Sequence, residues 1–214
     1  MFNRRRRDLL LGTAAYSATC VASVNADSPV PSPAAAATRR VVTGHDAGGH
    51  SIFVSDNAAP HVIQRKPEGI TITEIWETRS TPADNTSQGD PTDHPLSLAP
   101  PANGTVLRIM EFAPGAGQAG ATQRQTATDD GSGIETALKK GASAKAPGFH
   151  TTNTTDYVIV ISGEIVALMD EGEKLLKAGD VLIQRGTHHA WSNRSKAVAR
   201  LAFVLIDAQP LPLT

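Results

Sequence analysis

A single cysteine, Cys20, stands in the 214 residues. One thiol excludes a disulfide framework within the chain and any Cys-rich zinc site, so a metal would have to be held by His and carboxylates. Charge of one sign is equally lacking, with 20 basic side chains against 21 acidic ones. That balance argues against a nucleic-acid partner, because phosphate recognition asks for a basic stripe. No stretch sustains apolar residues at three- and four-residue spacing, apart from a turn or two around 134–140, so the pattern is not that of a helical protein. Aromatics are scarce at 4%, but a hydrophobic content of 40% is adequate for one core and excludes a chain disordered throughout.

The N-terminus has the order of an export signal. Four consecutive arginines (4–7) precede a weakly apolar stretch, 9–24, that contains Thr13, Ser17 and Thr19, and Val24-Asn25-Ala26 offers small residues for cleavage. Arg6-Arg7-Asp8-Leu9-Leu10 resembles the twin-arginine type of signal, whose receptor carries folded cargo. The sixteen residues of 9–24 fall short of the roughly 20 apolar ones that a membrane span needs. Residues 1–26 are therefore expected to be removed, leaving a periplasmic or secreted protein with no membrane segment. Cleavage takes away Cys20, four arginines and one aspartate, moving the net charge from −1 to −4. Residues 27–38, with three prolines and four consecutive alanines, read as a linker. A single domain is expected over 39–214.

That domain reads as all-β. Short runs rich in branched residues occur at 40–43, 51–54, 70–76, 106–112, 157–161, 165–169, 181–184 and 201–206, separated by Gly, Asn, Asp and Pro. Two long segments interrupt them, 78–103 and 115–147; loops of such length are usually functional, so each is a candidate wall of a binding site.

The chemistry concentrates in the last third. In Gly148-Phe149-His150-Thr151-Thr152-Asn153-Thr154-Thr155-Asp156-Tyr157, the side chains of His150, Thr152, Thr154 and Asp156 share one parity and would face one side of an extended chain, with Tyr157 on the other. In the stretch from Gly179 to Asn193, Gly179-Asp180 supplies a turn into a buried strand. Gly186 then supplies a second turn that delivers His188-His189 into the next strand, where only one of the two can face inward.

These two segments resemble the paired motifs of the cupin superfamily, G-x5-H-x-H-x3-4-E-x6-G and G-x5-P-x-G-x2-H-x3-N. Gly179, Gly186, His189 and Asn193 fall in register with the second, Gln184 replacing its proline. His150, Asp156 and Gly163 align with the first, Thr152 standing where a second His would be. A looser resemblance, carried by Arg39-Arg40-Val41-Val42-Thr43-Gly44-His45, His150-x-Thr152-x3-Asp156-Tyr157 and Gln184-Arg185-Gly186-Thr187-x-His189-Ala190-Trp191, points to small single-domain cupins. Fungal members of that branch, in aromatic polyketide pathways, are described as cupin-domain oxidoreductases. The resemblance implies a jelly-roll (double-stranded β-helix) barrel with its core over about 106–207 and an N-terminal strand arm.

It also implies His150, Asp156 and His189 as metal ligands and catalytic residues, with His188 as the competitor for the inward place. Two imidazoles and a carboxylate suit Fe, Mn, Ni or Zn and leave positions open. Thr152, Gln184, Arg185, Trp191 and Tyr157 are candidates for the substrate pocket. The expectation is an exported, divalent-metal-dependent oxidoreductase acting on a small oxygenated or aromatic molecule. The alternatives are a metal-free small-molecule-binding cupin and a cupin isomerase or dehydratase. The segment 40–56 ahead of the barrel is expected to serve as the arm of a homodimer.

Overall fold

A computed structural model describes residues 37–66, 68–87, 89–118 and 148–211. The signal read at 1–26, most of the linker, the turn at 134–140 and most of the second long segment lie outside the described residues. Every regular element among those described is a β-strand, as the branched runs require. β1 (Arg39–His45) and β2 (Ser51–Ala58) form an antiparallel ribbon of their own. β3 (Val62–Arg65), β4 (Ile70–Thr78), β5 (Thr105–Phe112), β6 (Thr154–Ser162), β9 (Val181–Arg185) and β11 (Ala199–Asp207) make a six-stranded sheet in the order β3-β4-β5-β11-β6-β9. β7 (Glu164–Met169), β8 (Glu173–Lys177) and β10 (His189–Ser192) make a second sheet in the order β10-β7-β8.

The paired motifs put the barrel core at about 106–207; the large sheet begins earlier, at Val62, because β4 pairs with β3 on one side and with β5 on the other. β3 and β8 were not anticipated. Val62-Ile63-Gln64-Arg65 is short, and Glu173-Lys174-Leu175-Leu176-Lys177 carries three charges in five residues, so neither shows the apolar alternation that marks a strand.

Alternation sets the core. Leu201, Phe203 and Leu205 of β11 and Val158 and Val160 of β6 turn inward, where they pack with Val106, Phe112, Ile165, Ala167 and Trp191. Trp191, from the small sheet, meets Phe203, from the large one, edge-on at 5.4 Å. The inner face of the large sheet is graded. Ile72, Met110, Leu201 and Val160 lie in one row across β4, β5, β11 and β6, whereas Asp156 and Gln184 are paired two residues from Val158 and Leu182, toward the opposite end.

The segment 79–104 is held against this barrel. Leu96 buries against Ile72, and Arg108 Nη2 donates to the Ser97 carbonyl at 2.9 Å. Arg40, on β1, binds the Asp90 carboxylate through both terminal nitrogens and, with the Thr92 hydroxyl and amide, holds that carboxyl far below its ordinary range. The root of the arm is thus tied to its own barrel, while Phe53 near the middle of the ribbon is 75% exposed.

Gly163 joins the two sheets at a left-handed φ of 73°, and a Cβ there would stand 2.5 Å from the Val198 carbonyl oxygen. Gly163→Ala adds backbone strain to a clash with rigid backbone, so a loss of about 2–4 kcal/mol is expected in denaturant unfolding. An unchanged midpoint would contradict the close approach.

Candidate functional site

The turn at Gly186 brings β10 alongside the chain entering β6. His150 and His189 face each other as a bridge, with both amides donating to the opposite carbonyls at 3.0 Å. His150 Nδ1 lies 2.8 Å from the Gly148 carbonyl, and His189 Nδ1 lies 2.9 Å from the Thr187 carbonyl. A carbonyl oxygen only accepts, so Nδ1 carries the proton in both rings and each Nε2 keeps its lone pair. The ring centroids are 4.4 Å apart. Burial lowers the pKa of both, and the neighbouring His150 helps to bring His189 down to about 3. Two neutral imidazoles result. His188 points elsewhere, with Nδ1 at 2.7 Å from Asp170 and its ring against Phe149, so the inward place belongs to His189.

The parity read from the sequence holds along β6. Thr152, Thr154 and Asp156 are all buried. The Thr152 and Thr154 hydroxyls share a hydrogen bond of 2.7 Å, and Thr154 in turn bonds the Asp156 carboxylate. Burial outweighs that bond and the nearby charge of Arg108, pushing the Asp156 carboxyl up to about 6. Gln184 lies directly across from Asp156 on β9. Its Nε2 donates to the Thr187 carbonyl at 3.0 Å and also meets the Thr187 hydroxyl.

Three charged side chains that the sequence reading did not single out enter the same interior: Glu74, Glu77 and Arg108 are each at most 4% exposed. A strand of strict alternation would turn Glu74 and Glu77, three residues apart, to opposite faces. The register of β4 on β5 shifts between Glu74 and Trp76, and this bulge lets both face inward. Arg108 Nη2 lies 3.2 Å from Glu74 Oε1. Glu77 lies 2.9 Å from His94 Nε2 and 2.6 Å from Arg79 Nη2. Burial raises the Glu74 carboxyl and lowers the Arg108 guanidinium. A glutamate set among Ile70, Ile72, Ile75 and Trp76 was the available signal for a buried ion pair.

The family model described as Cupin domain matches residues 134–206, which include both histidines and Asp156. The chain is 32% identical over 191 residues to Phomopsin biosynthesis cluster protein C' of Diaporthe leptostromiformis, covering 85% of each. This chain belongs to the cupin superfamily. Some relatives carry the family and an activity in their names. Cupin-domain-containing oxidoreductase virC of Hypocrea virens is 27% identical over 218 residues, covering 98% of this chain and 91% of that one. Among solved structures, the Cnp3 cupin domain of Schizosaccharomyces pombe is similar at 10% identity and a TM-score of 0.42, over 79% of this chain and 87% of that one.

Within this cupin the expected site residues divide into three groups. His150, His189 and Trp191 come together, the indole standing edge-on to His189 at 5.9 Å. Thr152, Asp156 and Gln184 are buried, Asp156 and Gln184 directly across from each other on β6 and β9. Tyr157, 43% exposed, and Arg185, also exposed, point out of the barrel, which removes both from the pocket; each adjoins an inward residue on its strand, and alternation sends it the other way. Among the described residues no group of three or more His, Cys, Asp or Glu is placed to hold an ion. The short Asp156 side chain stays with Thr154 and Arg108, while the two imidazoles pair with each other.

The buried groups pull the pH dependence of stability in opposite directions. Asp156, at about 6 in the fold against 3.8 ordinarily, holds its proton more tightly when folded, so its contribution falls as pH rises from about 4 to 6. His189, lowered from 6.5 to about 3, contributes above 6.5 and loses that contribution as pH falls toward 3. The Asp156 and His189 slopes oppose each other between about pH 4 and 6, as do those of Glu74, raised by burial, and His150, lowered by it. Asp156→Asn removes one of the opposing slopes. Its unfolding free energy is expected to climb more steeply than wild type over that window, by about 1.4 kcal/mol per pH unit; parallel curves would refute the assignment.

Proposed function

We propose that this cupin is an oxidoreductase acting on a small oxygenated or aromatic molecule bound against the His150–His189 pair. The observation that supports the reading is this locked pair of neutral imidazoles in a chain similar over nearly its whole length to a relative named as an oxidoreductase. The cupin fold implies a divalent ion such as Fe, Mn, Ni or Zn. Two Nε2 lone pairs, each backed by an Nδ1–H donated to a carbonyl, suit two of its positions. When bound, such an ion would supply a Lewis-acid or redox centre. The chain's own residues bind and orient the substrate. Trp191 offers an apolar wall, Asp156 and Gln184 offer oxygen acceptors, and Thr152 and Thr154 hold the Asp156 carboxylate in place.

Elemental mass spectrometry of the reconstituted protein tests the role of the pair. Near one equivalent of a first-row divalent metal is expected in wild type and none in His150→Ala or His189→Ala. Turnover of oxygenated aromatics with dioxygen as the acceptor should be lost in the same two variants. Equal metal content in all three proteins would end the metal-dependent reading.

One observation favours a second reading, an isomerase or dehydratase. Asp156, pushed up to about 6, can change protonation state near neutral pH, as a general acid or base must. Exchange of substrate hydrogen with deuterated solvent, without net oxidation, would identify that chemistry.

A further inference from the structure

Two acceptors on neighbouring strands lack a donor. Asp156 Oδ1 and Gln184 Oε1 are enclosed and without a hydrogen-bond partner among the described residues, in side chains 4% and 1% exposed. The two residues pair directly across β6 and β9, a geometry that sets Cβ atoms roughly 5 Å apart. The orientation of the Gln184 amide is fixed at its other end, because Nε2 donates to the Thr187 carbonyl and Oε1 is therefore the unpaired atom. Arg108 adds one unused donor, Nε, and its charge acts on Asp156. A buried acceptor with no donor destabilises the fold unless something supplies the hydrogen. Two of them side by side on the inner face fit a ligand that brings two hydrogens to them.

From this edge we infer that the substrate is a neutral molecule with hydroxyl groups on two neighbouring carbons, one donating to Asp156 Oδ1 and the other to Gln184 Oε1. The inference deepens the proposed function and rests on its placing of the substrate at this end of the barrel. An ionised carboxylate or phosphate lacks the hydrogens and would set its charge against Asp156. An ammonium group has them, but the Arg108 guanidinium already acts on the same carboxylate, and stripping water from a cation costs far more than from a hydroxyl.

Calorimetric titration of the full chain, without oxidant, with catechol, phenol, 1,2-dimethoxybenzene and benzylamine tests it. Catechol is expected to bind at least tenfold more tightly than the other three. Its advantage over 1,2-dimethoxybenzene should fall toward one in Asp156→Leu and in Gln184→Met, each checked for a retained cooperative melt. The titrations are run on protein freed of metal with a chelator, so that coordination of an ion by catechol cannot give the same selectivity, and the ligand series on that wild type decides the matter even if a variant fails to fold. Catechol that does not bind at millimolar concentration, 1,2-dimethoxybenzene or benzylamine that binds as tightly, or a selectivity that survives both replacements overturns the inference. Because binding is read without turnover, failure here is separable from failure of the proposed function. A chain that selects catechol through these residues yet oxidises nothing keeps the ligand class and loses the oxidoreductase reading. One that oxidises compounds without paired hydroxyls and ignores catechol does the reverse.

Discussion

Arg108→Ala is expected to cost this protein about 3–5 kcal/mol of stability, enough to leave it partly unfolded at ambient temperature. Arg108 is 3% exposed; its Nη2 lies 3.2 Å from Glu74 and donates to the Ser97 carbonyl. Removing the cation leaves Glu74 and Asp156 as buried acids without their nearest positive charge, and leaves the Ser97 carbonyl without its donor. Burial already raises both carboxyls, so the loss should be greatest at high pH, where they ionise, and should shrink as pH falls. Replacing the pair together, Glu74→Leu with Arg108→Met, removes the uncompensated charge and should recover most of the loss, since an apolar pair of similar volume is often as stable as a buried ion pair. Urea unfolding of the two single variants and the double variant at pH 5 and 8 gives the coupling. If the single replacements add up to the double one, the two side chains do not act as a pair.

Asn193→Ala is expected to lose about 2–4 kcal/mol, although the residue touches no candidate ligand. Its side chain is fully buried and uses both ends. Nδ2 donates to the Phe112 and Ala197 carbonyls, each at 2.8 Å, and Oδ1 accepts from the Ser195 amide and hydroxyl. It thereby fastens the chain beyond β10 to the end of β5 and shapes the turn into β11. Alanine takes the side-chain donor from the buried Phe112 carbonyl and removes the acceptor of the turn. Asn193→Asp should be worse than alanine, because it sets a carboxylate against those carbonyls. Guanidinium unfolding that ranks aspartate above alanine would refute this role.

Motif and parity carried the legible half of the site. Spacing around Gly186 placed His189, and period-two alternation from His150 to Asp156 put four side chains on one face. Both depend only on local geometry. The residues that escaped depend on pairing between strands far apart in sequence. Glu74 and Glu77 share a face only because β4 bulges against β5, and nothing in the run from Ile70 to Thr78 announces the register shift. The separation of Asp156 from the two imidazoles has the same origin. The spacing within β6 cannot say how far its inner face stands from the end of β10. Tyr157 and Arg185 are a different case, since alternation alone would have sent them outward.

The place of β11 in the large sheet has a consequence for the order of synthesis. β5 and β6 do not pair with each other; each pairs with β11, which is the last strand described. Until residues 199–207 leave the ribosome, the nascent chain holds two incomplete half-sheets, β3-β4-β5 and β6-β9, each with an open edge and an uncovered apolar face. Such edges recruit other chains, and closure between strands this distant in sequence is slow. Emergence of β11 therefore completes the barrel, and a chain stopped just short of Ala199 would be left with both edges open to aggregation.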